Sequence, residues 1–234
     1  MRKTSRIILV VIALCSMQDL FGQPNLPEYD YKRFRFGFML GYNYATFTSK
    51  PNANLNPFDS LVIVEPTGKS GFDIGIVTNL RLGEYFDLRF IPALSLMSRS
   101  MDYTTMYSGN KLTTRTHMIE SVNLDLPLLF KLKSSRVGNN VRFYAISGVQ
   151  YSLDMASRSK KRNPPGETVL KLKASDIQFQ AGVGIDFYLP YFKLTLEGKM
   201  GYGITNLHKD ENNFISSSIE SLRSKTFHFS IIFE

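Results

Sequence analysis

Cysteine is nearly absent from this 234-residue chain, and tryptophan is absent altogether. The single cysteine, Cys15, lies within the first 22 residues, so the rest of the chain has no thiol. This excludes disulfide frameworks, cysteine-based metal sites and cysteine nucleophiles from everything after residue 22. Histidine is also scarce: there are three, and none has a partner histidine at the i, i+2 or i, i+4 spacing of a metal site. We therefore expect no metal and no cofactor.

Long hydrophobic runs are missing as well. The apolar run Ile7 to Leu14 is shorter than the roughly 20 residues that a membrane-spanning helix needs. The mean hydropathy of −0.12 excludes a protein built from several such helices.

Residues 1–22 are typical of a secretory signal peptide, because three basic residues among the first six precede a short apolar run. We expect cleavage before Gln23, with an uncleaved anchor as the alternative. Lipid attachment at Cys15 is disfavoured, because Leu14 precedes it where lipid-modified signals have a small residue. The polar residues 23–32 are then expected to form a periplasmic lead-in.

The chain is rich in alternation with a period of two, which is typical of β-strands with one apolar face. On one face of stretch 33–47 lie Phe34, Phe36, Phe38, Leu40, Tyr42 and Tyr44. The opposite face carries Arg35, Gly37, Met39, Gly41, Asn43 and Ala45. The pattern predicts eight strands: 33–47, 72–82, 86 to about 97 with a bulge at Pro92, 119–132, 141–153, 176–189, 192–203 and 226–234.

The predicted connections alternate in length. Long polar loops are expected at 48–70, 98–118, 155–174 and 204–222, with short turns between the other strands. An even strand number, short turns at one end and long loops at the other are typical of outer-membrane barrels. The predicted fold for residues 33–234 is therefore all-β: an eight-stranded antiparallel up-and-down transmembrane β-barrel in the cell outer membrane.

A soluble barrel with its apolar face inward is the alternative, and side-chain volume argues against it. An eight-stranded barrel has an interior just wide enough for side chains, and six large residues per strand would overfill it. We therefore place the small and polar face inside and expect its charges to pair, which leaves no open pore. They are Arg35, Asp73, Arg81, Asp87, Arg89, Asp125, Lys131, Asp186, Lys193, Glu197 and Lys199. Aromatic residues near the strand ends are expected to form girdles at the two membrane surfaces. They are Phe34, Tyr42, Tyr44, Tyr85, Phe86, Tyr188, Tyr191, Phe192 and Tyr202.

The last strand has the apolar alternation that the barrel assembly machinery recognises in a closing strand. Phe227, Phe229, Ile231 and Phe233 share one face and form the expected assembly signal, while His228 faces the lumen.

Charge and histidine suggest few further sites. Of the net charge of +8, residues 1–22 carry +2, and most of the remaining +6 lies in one loop, so we expect no nucleic-acid surface. The basic residues Arg158, Lys160, Lys161 and Arg162 in that loop are either solvated or contact a partner protein or acidic lipid headgroups. His117 is expected in or near a long loop.

One histidine near an acid leaves an enzyme as an alternative. His208 and Asp210 resemble the acid–base pairs of barrel enzymes that act on lipid or peptide at the outer rim. Polar loops offer such pairs by chance, and we expect no catalytic residues.

The segment Asn123 to Leu132, with its Pro-Leu-Leu-x-Lys-type run before the Tyr144 to Gly148 strand, resembles outer-membrane barrels of Bacteroidetes. Length, signal, strand count and closing strand resemble the PorT family over essentially the whole mature chain. The resemblance implies a non-enzymatic component of the type IX (Por) secretion system. That system exports proteins with a C-terminal sorting signal, such as gingipain-type proteases of Porphyromonas. Implied partners are other secretion components, besides outer-membrane lipid.

Overall fold

A computed structural model describes residues 25–51, 61–107, 111–138, 140–155, 173–207 and 219–234. Within these ranges, a 3-10 turn at Tyr29–Tyr31 precedes nine strands. They are β1 (Phe34–Pro51), β2 (Leu61–Arg81), β3 (Phe86–Phe90), β4 (Ala93–Tyr107), β5 (Lys111–Lys133), β6 (Val141–Asp154), β7 (Ser175–Tyr188), β8 (Lys193–Gly203) and β9 (Ile219–Phe233). The predicted signal peptide lies outside the described residues.

The strands form a closed antiparallel barrel in which, apart from β3 and β4, each strand pairs with the strands before and after it in the chain. The two ends of the sheet meet, because β1 pairs with both β2 and β9. Strands β3 and β4 together fill one place in the sheet, between β2 and β5, since both pair with β2 and with β5. We call each such place a wall of the barrel. The barrel therefore has eight walls in up-and-down order, which confirms the predicted fold class.

The break between β3 and β4 lies at Pro92, but the bulge predicted there is wrong. Asn79 of β2 pairs with Arg89 on one side of the break, and Gly75 pairs with Ala93 on the other. Both strands advance by the same number of residues, so no extra residue is inserted. Proline lacks the N–H that the ladder needs, and this interrupts the strand without shifting its register.

The strands are staggered around the barrel by ten residues. A circuit of paired residues leaves β1 at Ala45 and returns to it at Arg35. It passes through Thr226, Gly201, Gln180, Gly148, Leu129, Arg89 and Asn79. The stagger and the strand number together set the strand tilt, and eight tilted strands leave room inside for side chains only.

Two of the predicted long loops are largely strand. Strand β2 begins at Leu61 inside the expected loop 48–70, and the ladder between β4 and β5 continues to Tyr107 and Lys111 inside the expected loop 98–118. These segments lack apolar alternation but are rich in threonine and other β-favouring residues. Such residues allow the strands to continue pairing beyond the apolar band that faces lipid. His117, expected in or near a loop, belongs to strand β5.

The two faces of the barrel are as predicted. Phe36 and Phe229 on the outer face are 66% and 72% exposed, whereas inward Arg35 and Arg89 are 3% and 0% exposed. Inside, apolar residues from several strands also pack together, which the polar pattern did not indicate. This cluster consists of Met39, Val77, Ile91, Ala93, Leu129, Tyr144, Ile146 and Ile232.

Candidate functional site

The lumen is crossed by an ion pair between opposite walls. Arg89 of β3 and Glu197 of β8 are four wall positions apart in the eight-walled barrel, and Arg89 Nη1 lies 2.6 Å from Glu197 Oε2. The Tyr144 hydroxyl donates to the same carboxylate at 2.5 Å, and Lys199 Nζ lies 2.8 Å from its other oxygen. Arg89 Nε also donates to Asn79 at 2.8 Å. Polar and charged groups from four walls thus meet across the channel.

A second cluster lies beside the first, nearer the end with the short turns. Lys131 Nζ lies 2.7 Å and 3.0 Å from the two carboxylate oxygens of Asp186. Lys193 Nζ lies 3.9 Å from Asp186 and also contacts the carboxylate of Glu234. The Glu234 side chain, fully buried, accepts a hydrogen bond from Asn79 as well. The last residue of the chain is therefore fixed inside the lumen.

Asp87 forms the third cluster, at the same end of the barrel. Arg35 Nη2 lies 2.5 Å from one of its oxygens and Lys133 Nζ lies 2.7 Å from the other. The predicted pairing of the lumen charges is thus confirmed for most of them.

Two of the predicted charges differ. Arg81 donates to the Gly83 carbonyl at 3.2 Å and lies over the ring of Tyr31. Asp125 contacts the Ser95 hydroxyl, and no ion pair joins it to a cation in the described part of the chain.

Asp73 organises the other half of the lumen. Its carboxylate lies 2.5 Å from Asn43 Nδ2 and 2.7 Å from His228 Nδ1. The Ser95 hydroxyl lies 2.6 Å from Asp73 and 2.6 Å from Asp125. One hydroxyl donates a single hydrogen bond, so the second of these contacts needs a proton on one of the two carboxyl groups.

This histidine, aspartate and serine do not have the geometry of a hydrolase. In such a triad the imidazole contacts the nucleophilic hydroxyl, and the carboxylate orients the imidazole. Here the Ser95 hydroxyl lies against the carboxylates, and Asp73, Ser95 and His228 are only 2%, 1% and 5% exposed. Their arrangement holds the barrel walls together and offers no surface to a substrate.

Residues 25–32 cover the lumen mouth at the short-turn end. Arg142 lies 3.0 Å from Asp30, Arg136 lies 2.8 Å from it, and the Tyr188 hydroxyl donates to it at 3.1 Å. Burial alone would raise the pKa of Asp30, but the guanidinium groups of Arg142 and Arg136 outweigh it, so the pKa lies below its ordinary value. The ring of Tyr29 packs edge-on against Tyr188 at 6.0 Å, and burial raises the pKa of the Tyr29 hydroxyl.

The predicted membrane girdle needs one correction, at Tyr188. The other predicted girdle residues are exposed or half-exposed, but Tyr188 is 2% exposed and points into the mouth. It shares the parity of lumen-facing Asp186, so its own position in the alternation indicated an inward side chain.

The predicted assembly residues lie on the outer face. Phe227, Phe229 and Ile231 are exposed, and Phe233 is half-exposed with its ring stacked on Phe38 at 5.0 Å. The alternation places Glu234 on the lumen face with His228 and Ser230, but it did not indicate the contacts of its carboxylate with Lys193 and Asn79.

The remaining predicted sites cannot be placed. His208, Asp210 and the basic run Arg158, Lys160, Lys161 and Arg162 lie outside the described residues.

The described part of the chain shows neither a metal-binding cluster nor a membrane-spanning helix. It contains no group of three or more histidine, cysteine or acidic residues arranged to hold a metal ion. Within the same ranges, no helix has the length and apolarity to cross a membrane.

Comparison with known proteins gives one family. The family described as "Outer membrane protein beta-barrel domain" matches residues 21–209, which is most of the chain. No curated protein matches the sequence.

Three solved structures are similar at low identity. The outer membrane protein OprG from Pseudomonas aeruginosa is 12% identical, with 84% of this chain and 92% of that chain covered and a TM-score of 0.41. Neisserial surface protein A is 11% identical, with 86% and 98% covered and a TM-score of 0.40. Ail, the attachment invasion locus protein of Yersinia pestis, is 10% identical, with 85% and 96% covered and a TM-score of 0.30.

Proposed function

Since this chain belongs to the outer membrane protein β-barrel family, we propose that it is a closed, non-enzymatic accessory of protein export, acting in the type IX secretion system. It lies in the outer membrane, and the short turns and the 25–32 segment face the periplasm by the rule that such barrels follow.

The observation that carries the proposal is the Arg89–Glu197 pair across the lumen. A cargo protein cannot pass through a barrel whose opposite walls are joined and whose periplasmic mouth is covered. Such a barrel acts through its surfaces, by contact with the proteins that form the export channel. The resemblance of Asn123 to Leu132 and of Tyr144 to Gly148 to the PorT family supports the type IX system as that machinery, and other components of the system as its partners.

Deletion of the gene tests the proposal. Proteases with a C-terminal sorting signal should remain cell-bound in the deletion strain, while proteins exported by other routes are released normally. A plasmid copy of the wild-type gene should restore release. Unchanged release of sorting-signal proteins from the deletion strain would contradict the export role.

A further inference from the structure

The lipid-facing surface of the barrel is almost free of charge. On the strands whose side chains the structure describes, the outward positions are apolar, aromatic, small or hydroxyl-bearing, and none is acidic. Among these described side chains, two outward ones are charged, and both are basic: Arg223 and Lys225 of β9. A charge on the lipid face is destabilising by about 2–4 kcal/mol at the membrane midplane and by about 0–1 kcal/mol near the interface, so its position along the strand matters.

Both residues lie at the outer interface. Strand β9 ends at Phe233 on the periplasmic side, so Arg223 and Lys225 lie toward its opposite end. Lys225 is level with the outer aromatic girdle, because it pairs with Tyr202, and Arg223 lies two residues farther toward the outer end of the strand. Lys225 Nζ lies 5.5 Å from the centroid of the Phe227 ring. Side chains just beyond an aromatic girdle are level with the lipid headgroups.

The two side chains point the same way and lack an anionic partner in the described structure. Residues two apart on a strand share a face and are about 7 Å apart. None of the ion pairs among the described residues includes Arg223 or Lys225, and Arg223 Nε is buried without a hydrogen-bond partner in the described part of the chain. Thr48 and Thr46 of β1 are paired with Arg223 and Lys225, and they add outward hydroxyl groups beside the two cations.

We propose that Arg223 and Lys225 bind a phosphate group of an outer-leaflet glycolipid of the lipid A type. A guanidinium and an ammonium group side by side match a phosphate ester, and nearby hydroxyl groups can donate to its remaining oxygens. The apolar strip of β9 below them, Phe227, Phe229 and Ile231, contacts the acyl chains of the same lipid. The site depends on the membrane location of the barrel and not on its role in export.

Binding of fluorescent lipid A to the purified full-length barrel in neutral detergent tests the site. The double variant Arg223→Gln/Lys225→Gln should bind about thirtyfold more weakly, from ~1 kcal/mol per basic side chain near a charged lipid surface. The matched control is Lys32→Gln/Arg33→Gln, which removes two exposed basic residues at the periplasmic end and should bind as the wild type does. Heat-modifiable gel migration confirms that all three proteins are folded.

Two competitors identify the ligand. Lipid A stripped of phosphate should compete poorly, and inorganic phosphate should compete only at far higher concentration than intact lipid A. Equal binding by the Arg223/Lys225 double variant and the wild type would overturn the proposal. Equal competition by dephosphorylated lipid A would also overturn it, because the acyl chains alone would then account for binding.

Discussion

Arg89 and Glu197 reach toward each other from opposite walls of the barrel and meet at 2.6 Å with no exposed surface on either side chain. Replacing one partner leaves a buried charge without its counterion, which costs about 3–5 kcal/mol. Arg89→Met and Glu197→Met should therefore each lower the free energy of unfolding by that amount, measured by urea unfolding in lipid vesicles. The double variant should recover part of the loss. Single variants as stable as the wild type would show that this pair does not join the walls.

We expect the Arg89–Glu197 pair to limit ion conductance through the lumen as well. We expect the wild-type barrel to conduct poorly in planar bilayers, since paired charges fill its lumen. Arg89→Ala/Glu197→Ala removes both side chains that cross the channel and should produce resolvable channel openings. Phe36→Ala, on the lipid face, serves as the control and should stay closed. Large, steady conductance of the wild type would instead favour a passive pore.

Close packing inside the lumen can be tested at a glycine. A Cβ at Gly184 would overlap the ring of Tyr144, whose hydroxyl donates to Glu197 and whose ring lies 3.6 Å from Lys131 Nζ. Gly184→Ala should lower the free energy of unfolding by about 1–3 kcal/mol, as overpacking does. Gly83→Ala is the control, because nothing lies within 4 Å of a Cβ there. Equal stability of the two variants would contradict the packing argument.

The parts of the fold that could be predicted from sequence are those that follow from the period of two. Alternation in Phe34 to Ala45 assigned lumen and lipid faces correctly, because successive strand residues point in opposite directions whatever the tertiary structure. The strand extensions at 61–71, 98–107 and 111–118 could not be predicted in this way, since their apolar residues do not alternate with polar ones and only pairing with a neighbouring strand defines them.

The pairing of charged side chains across the lumen could not be predicted from the sequence, for a different reason. Parity showed that Arg89 and Glu197 point inward, but which carboxylate meets which cation depends on the ten-residue stagger between strands. The cover formed by residues 25–32 was missed because it is short, polar and without period. Only the charge of Asp30, opposite two arginines distant in sequence, could have suggested it.

The cover over the periplasmic mouth should be pH-dependent. Because the pKa of Asp30 is lower in the folded protein, its ionised form stabilises the docked segment. This contribution is complete above the ordinary aspartate pKa of about 3.9 and is lost as the pH falls through the lower folded value. Hydrogen-exchange protection of residues 25–32 should therefore be constant from neutral pH to about pH 5 and decline below about pH 4.

The variant Asp30→Asn tests the same contact at neutral pH. It should reduce protection of residues 25–32 at every pH and remove most of the pH dependence. Glu28→Gln is the matched control, because Glu28 is exposed on the same segment, and it should behave as the wild type does. Protection that is unchanged in Asp30→Asn would show that Arg136 and Arg142 do not hold the segment through this carboxylate.

The closing strand should affect assembly more than stability. Phe233 is stacked on Phe38 and lies near Phe192 at the periplasmic interface, where a charged residue costs only about 0–1 kcal/mol. We nevertheless expect Phe233→Asp to reduce strongly the amount of heat-modifiable barrel in the outer membrane, because the assembly machinery recognises this alternation. The control Phe34→Asp places the same charge at an exposed residue of β1, at the same end of the barrel. It should reduce the amount of heat-modifiable barrel much less. Equal losses would mean that membrane energetics alone explain the defect.

Charge reversal of the basic run 158–162 should impair export while leaving the amount of assembled barrel unchanged. We expect Arg158→Glu, Lys160→Glu, Lys161→Glu and Arg162→Glu together to leave barrel amount and heat-modifiability unchanged, because these residues fall between β6 and β7 and outside both strands. If the run contacts a partner or acidic headgroups, release of sorting-signal proteases should fall. In wild-type extracts, co-purification with a partner through this run should weaken as salt is raised, because exposed charges are screened over about 10 Å at 0.1 M salt. Unchanged release at a normal amount of barrel would show that the run is a solvated loop, and the surfaces used in export would then lie elsewhere on the barrel.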